Sequence, residues 1–148
     1  MHVHIFIPIT TSTMEIIYLS ICFTTPKLQE CREFYTKYFD VDIAYDHSWY
    51  LTIRFKWKRK IYLSFMNPQN NEPIYNNGGV TINLWVKDVD AEYQRLKDMG
   101  LEITRQIQDN PWGDRAFEVN DPLGNILYIY KFIKPSKEYI DSNKELNK

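Results

Sequence analysis

The sequence predicts an α+β domain of two βαβββ modules, their strands joined in one curved eight-stranded mixed sheet with the helices on its outer face. Three observations lead there. Patterns typical of strand, helix, strand, strand and strand run twice along the chain, at an offset of about 60 residues. A stretch of turn formers without periodicity, Asn67 to Gly79, separates the two runs. The stretch Pro111 to Tyr130 reads as a hairpin: Ala116 to Val119 alternates as a half-buried strand does, and Ile126 to Tyr130 is rich in β-formers. Between them, Asn120-Asp121-Pro122-Leu123-Gly124-Asn125 supplies a preset φ, side chains that bond their own backbone and a glycine for positive φ.

Composition bounds the possibilities. With 148 residues and 44% hydrophobic content, the chain suffices for one well-packed unit but not for independent domains. A net charge of −1, with lysines and arginines spread along the chain, points to neither nucleic acid nor an anionic membrane as partner. Aromatic residues make up 16%, enough to build a core and still line a pocket. Cys22 and Cys31 have no zinc or disulfide spacing and read as free thiols of a reducing compartment. No stretch approaches the roughly 20 apolar residues of a membrane span. The opening residues lack the basic start and cleavage site of a signal peptide, so a cytoplasmic location is expected.

Residues 1–13 fit nothing downstream and read as an extension; His2 and His4 there have no carboxylate or cysteine beside them to complete a metal site. Module one is expected over about residues 14–67. Ile16 to Thr24 alternates as a strand with Ile17, Leu19, Ile21 and Phe23 on one face. Thr25-Pro26 is expected to open a helix whose stripe is Leu28, Cys31, Tyr35 and Tyr38. Strands at Val41 to Asp46, Trp49 to Phe55 and Ile61 to Phe65 follow, with the basic turn Lys56 to Lys60 guarding an edge. After the 67–79 linker, module two occupies about residues 80–133. It begins with the strand Val80 to Val86, then a helix capped by Asp88, striped by Val89, Tyr93 and Leu96 and stopped by Gly100. Leu101 to Gln106, Arg115 to Asn120 and Ile126 to Lys131 are its remaining strands, and residues 134–148 read as a charged tail with a short helix expected to begin at Ser136.

Trp112-Gly113, Arg115, the Phe117-x-Val119 strand and Asp121-Pro-x-Gly-Asn125 ahead of an apolar strand resemble the last hairpin of the glyoxalase, bleomycin-resistance and extradiol-dioxygenase superfamily, the vicinal oxygen chelate fold. Phe34-Tyr35 with Phe39 is similar to the family's first helix ending, with Asp40, a residue that tolerates the left-handed conformation, in place of glycine. The helix after Leu84-Trp85-Val86 is similar to the second. The resemblance covers Glu15 to about Phe132 and implies the same paired modules, with a cleft that family members commonly complete by dimerising. Metal-dependent members hold Fe, Mn, Ni or Zn with His and Glu. The matching positions here are Tyr18, Thr81 and Tyr128, with a fourth near Ser64 or Met66, and none is a good ligand for such a metal. His47 is the one histidine within the domain.

No phosphate loop, serine elbow or Cys–His pair replaces that site, and neither Glu118 nor Asp121 reads as a general acid or base. If the aliphatic faces of the first strands pack on the helices, the opposite faces line the cleft. The candidate ligand-binding residues are Tyr18, Ser20, Trp49, Tyr62, Thr81, Asn83, Trp85, Trp112, Arg115 and Tyr128, with Cys22 and Tyr130 on the same strand faces. No catalytic residue, metal or cofactor is expected. Arg54, Arg105 and Arg115 favour a neutral or anionic aromatic ligand over a cationic one. Three readings stay open: a metal-free binder of a small aromatic or antibiotic-like molecule working as a homodimer, an enzyme of the superfamily (lyase, isomerase or dioxygenase) with a displaced site, and an interaction module whose cup is filled by side chains.

Overall fold

The computed structural model describes residues 20–56 and 61–146. Its elements run β1 (Ile21–Thr24), α1 (Leu28–Tyr38), β2 (Val41–His47), β3 (Tyr50–Phe55), β4 (Ile61–Met66), β5 (Thr81–Trp85), α2 (Val89–Asp98), β6 (Arg105–Asn110), β7 (Asp114–Asn120), β8 (Ile126–Phe132) and α3 (Lys137–Leu146). The βαβββ unit thus occurs twice. Tyr18, the start of the expected first strand and the tip of the basic turn at 57–60 lie outside the described residues.

The strands hydrogen-bond as two four-stranded mixed sheets, β1-β4-β3-β2 and β5-β8-β7-β6, each with one parallel pair at β1/β4 or β5/β8. Among the described residues no ladder joins the sheets, so the single eight-stranded surface is realised as two halves. A shared core holds them together: Phe23, Tyr35, Leu51, Ile53 and Phe65 of the first module and Val89, Leu96, Phe117, Val119 and Leu127 of the second form one buried cluster. Alternation puts these residues on the helix side of each sheet and leaves the other side open.

Local chemistry explains the element ends. Asp88 caps α2, its carboxylate accepting from Ala91 N at 3.0 Å, and Gly100 with φ 80° ends it. Helix α1 departs from expectation at both ends. Lys27 is its N-cap while Thr25 Oγ1 instead accepts Lys27 N at 3.2 Å, and Phe39 leaves the helix in an extended conformation, so Asp40 is not asked to turn left-handed. Strand β6 begins at Arg105 rather than Leu101, because Leu101 N still closes α2 on Leu96 O at 3.0 Å and pairing with β7 supplies partners further along. The tail carries a ten-residue helix, α3, and is tied back by Ser136 N to Pro111 O at 2.8 Å. No helix among the described residues is long and apolar enough to cross a membrane.

The β7–β8 turn joins the two modules. Asp121 accepts Leu123 N and Asn125 N, each at 2.9 Å, and Gly124 takes φ 75° with Asn77 so near that an added Cβ would stand 3.2 Å from its Oδ1. Tyr35 of α1 donates its hydroxyl to Asp121 Oδ2 at 2.9 Å, and Tyr75 of the linker donates to Asn125 Oδ1 at 2.7 Å. Burial first, then the Asp121 carboxylate, pushes the Tyr35 hydroxyl well above the usual phenol range.

Candidate functional site

Register decides which side chains share the open face of the second sheet. In the ladders Asn83 lies opposite Tyr128 and Trp85 opposite Tyr130, while Glu118 faces Tyr128, Ala116 faces Tyr130 and Asp114 faces Phe132. Arg105 faces Glu118 and Asn110 faces Asp114, so all of these point away from the helices. Two textures result. Trp85, 59% exposed, and Phe132, 71% exposed, form an aromatic edge with Tyr130, whose ring lies 5.3 Å from that of Phe132 and 5.6 Å from that of Tyr128.

Behind that edge lies a polar cluster centred on Asp114, 7% exposed. Its carboxylate accepts the Tyr128 hydroxyl at 2.9 Å, Asn110 Nδ2 at 2.7 Å and Trp112 Nε1 at 2.9 Å. Such a buried carboxylate is tolerated because charge-assisted hydrogen bonds replace its water. Arg105 extends the cluster, donating to Glu118 Oε1 at 3.1 Å and Asn110 Oδ1 at 2.6 Å and lying 5.9 Å over the Tyr128 ring. Burial, then the Asp114 carboxylate, raises the Tyr128 hydroxyl above its ordinary pKa, so at neutral pH it is a protonated donor held in one direction.

Of the residues expected from sequence, Thr81, Asn83, Trp85, Trp112 and Tyr128 come together on or beside this face. Arg115 does not. It projects from the opposite side of β7, donating to Asp90 Oδ1 of α2 at 2.8 Å and to Asp109 Oδ1 at 2.8 Å, and those two carboxylates raise its guanidinium pKa. Ser20, exposed, Trp49 and Tyr62 belong to the first module. Trp49 sits in the β2–β3 turn with its ring 5.9 Å from His47 and 5.5 Å from Tyr50, and Tyr62 lies opposite Arg54 on the open face of the first sheet. Cys22 shares that face; burial raises its thiol pKa, with a Tyr50 hydrogen bond working against the shift.

Asn110, Asp114 and Glu118 were not expected at the site. The period-two series Asp114, Ala116, Glu118 was the available signal, but only the β7–β8 register shows that it shares a face with Tyr128.

The described residues at the family's ligand positions do not fit a transition metal, and Tyr18 lies outside the described residues. Tyr128 is a neutral donor committed to Asp114, Thr81 is an exposed hydroxyl, Ser64 is bonded to Thr52 at 3.0 Å, and among the described residues no three His, Cys, Asp or Glu side chains converge. Asp114 and Glu118 share the face, but each is engaged by the donors named above.

A family model described as a glyoxalase-like domain matches residues 18–133. The structure is similar to that of a glyoxalase/bleomycin resistance protein/dioxygenase from Nocardioides, with TM-score 0.67 and 17% identity over 84% of this chain and 88% of that one. It is also similar to a bleomycin resistance determinant encoded on the transposon Tn5, with TM-score 0.60 and 14% identity over 78% of this chain and 97% of that one. An uncharacterised protein of Mycobacterium bovis is 46% identical over 46 residues, a match spanning 31% of this chain and 30% of that protein.

Proposed function

The chain belongs to the glyoxalase-like domain family, and on that basis we propose that it binds a small aromatic molecule on the open face of the second sheet, holding it without a resident metal and without transforming it. One observation carries the reading: a rigid hydrogen-bonded cluster, Asp114 with Tyr128, Asn110 and Trp112, stands beside the exposed ring of Trp85 on the same sheet face. Preformed polar groups at the foot of an aromatic wall orient a flat guest, and a ring stacked on Trp85 would contribute on the order of 1 kcal/mol beyond simple burial.

Charge narrows the ligand. The arginines that favoured an anion are all engaged, Arg54 with Asp42 at 2.7 Å, Arg105 with Glu118 at 3.1 Å and Arg115 with Asp90 at 2.8 Å. On the open face Asp114 and Glu118 outnumber Arg105, so a neutral aromatic compound suits it better than an anionic one. A homodimer is the assembly we propose, with a second copy covering the exposed Phe132 and walling the cleft beside Trp85 rather than filling it, and the cytoplasm is the compartment we propose.

A thermal-shift screen of neutral aromatic compounds tests the binding reading, because a ligand at 100 times its Kd raises folded-state stability by about 2.7 kcal/mol. Trp85→Ala is expected to keep the fold and lose affinity for any ligand found. Unchanged affinity would remove Trp85 and this face from the site. Elemental analysis of the purified protein is expected to return no stoichiometric transition metal.

A further inference from the structure

Two of the three donors to Asp114 stand on the β6–β7 turn, and the chain beyond β8 holds that turn in place. Residues 110–113 close it, with Gly113 N donating to Asn110 O at 3.1 Å. From it Asn110 Nδ2 and Trp112 Nε1 reach the Asp114 carboxylate, at 2.7 and 2.9 Å. Asn110 is also fixed from within the sheet, its Oδ1 accepting Arg105 Nη2 at 2.6 Å and Gln108 Nε2 at 3.0 Å, whereas Trp112 is 48% exposed at the tip of the turn. The tail supplies what the tip lacks. Ile133 N donates to Gly113 O at 3.0 Å and Ser136 N to Pro111 O at 2.8 Å, so the carbonyls on both sides of Trp112 are pinned. Pro135 lies so close that a Cβ on Gly113, φ 108°, would stand 2.7 Å from its Cγ.

We propose that residues 133–136 are a positioning strap for the candidate site, holding Trp112 in the one direction in which its indole braces the Asp114 carboxylate. The inference rests on the reading of that face as a binding site, and it makes affinity there depend on residues outside the sheet. A side chain on a free turn spends part of its time in other directions, and apparent affinity falls by the fraction that is competent. With both flanking carbonyls held, Trp112 keeps its backbone, and the Nε1 bond to Asp114 then fixes the ring. Ser136 is also where α3 is started, its Oγ accepting Tyr139 N at 3.2 Å and its O accepting Ile140 N at 3.1 Å. Its N–H serves the turn and its oxygens serve the helix, so substitutions can separate the two duties.

Ser136→Pro deletes the N–H that reaches Pro111 together with the hydroxyl that caps α3, and Ser136→Ala deletes the hydroxyl alone. Hydrogen exchange of the Trp112 Nε1–H, followed by NMR in the full chain without ligand, is expected to quicken about fivefold or more in Ser136→Pro and to stay unchanged in Ser136→Ala. The core amides of Phe117 and Leu127 are expected to quicken less, because a merely structural loss would speed all three alike. For affinity the probe is 2-naphthol, neutral and aromatic, whose Kd is expected to weaken at least about threefold in Ser136→Pro. A chain ending at Lys134 is expected to repeat both results, and it decides if the proline variant does not fold. Unchanged indole exchange, equal quickening in Ser136→Ala, core amides quickening as much as the indole, or an unchanged Kd overturns the proposal. Absence of 2-naphthol binding to the unaltered protein counts against the face instead, and indole exchange then decides the strap by itself.

Discussion

Asp121 and Asp114 belong to one hairpin and are held by the same kinds of group. Asp121 accepts from the Tyr35 hydroxyl and the Asn125 amide, each at 2.9 Å, while Asp114 accepts from the Tyr128 hydroxyl at 2.9 Å and the Asn110 amide at 2.7 Å. What covers them differs. Tyr35 and Asn125 are both completely buried, and Tyr35 comes from the other module, so the Asp121 cluster is a rivet between modules with no route for a ligand. Tyr128 and Trp112 border solvent beside Trp85, so the same chemistry at Asp114 becomes a preorganised edge that a guest can reach. A hydrogen-bonded Asp–Tyr–Asn cluster is therefore neither structural nor functional by composition; its surroundings assign the role.

The largest expected effect comes from removing the rivet. Asp121→Ala leaves the Tyr35 hydroxyl, two backbone N–H groups and the Asn125 amide without their acceptor, and the expected loss is about 3–5 kcal/mol in denaturant unfolding. A loss under about 1 kcal/mol would show that the turn does not bind the modules together.

Alkaline titration probes the same cluster without mutation. Burial, then Asp121, pushes the Cys31 thiol up to about 12 from an ordinary 9.0, and burial with Asp121 raises Tyr35 above 10.0. The unfolded chain gives up these protons at ordinary pKa values while the folded chain keeps them. Stability is thus fully present below the unfolded pKa of 9.0 and declines as pH rises from there toward 12. Urea midpoints measured across that window are expected to fall steadily; a flat profile would place Cys31 and Tyr35 in contact with water.

Tyr128→Phe sharpens the comparison with the smallest change in stability. It removes one of three donors to Asp114 at the edge of the fold, so about 1 kcal/mol is expected in unfolding, alongside weaker binding of a ligand on the open face. A loss as large as that of Asp121→Ala would make the Asp114 cluster a second rivet and end its reading as a site.

Much of this architecture was legible locally. Strand parity put Trp85 opposite Ile82 and Leu84, and Asp88 and Gly100 marked the ends of α2, because alternation and capping depend only on residues a few positions apart. The Asp121-Pro-x-Gly-Asn125 turn was read for the same reason. Parity also puts Arg115 on the side of Phe117 and Val119, away from the open face, so its place among the candidate residues was at odds with the sequence itself; what was not readable was its partner, since that depends on how α2 brings up Asp90.

The sequence by itself therefore determined the repeated βαβββ order, the hairpin turn, the capping of α2 and the parity of its single strands, all of them consequences of near-neighbour sterics and hydrogen bonding. Only the tertiary structure decided that Asp121 reaches Tyr35 across 86 residues, that Asp114 and Glu118 share a face with Tyr128, and that β6 starts at Arg105. These depend on register and on which surfaces the common core brings together. Backbone pairing energies are nearly the same for neighbouring registers, so the choice among them falls to contacts between residues far apart in the chain.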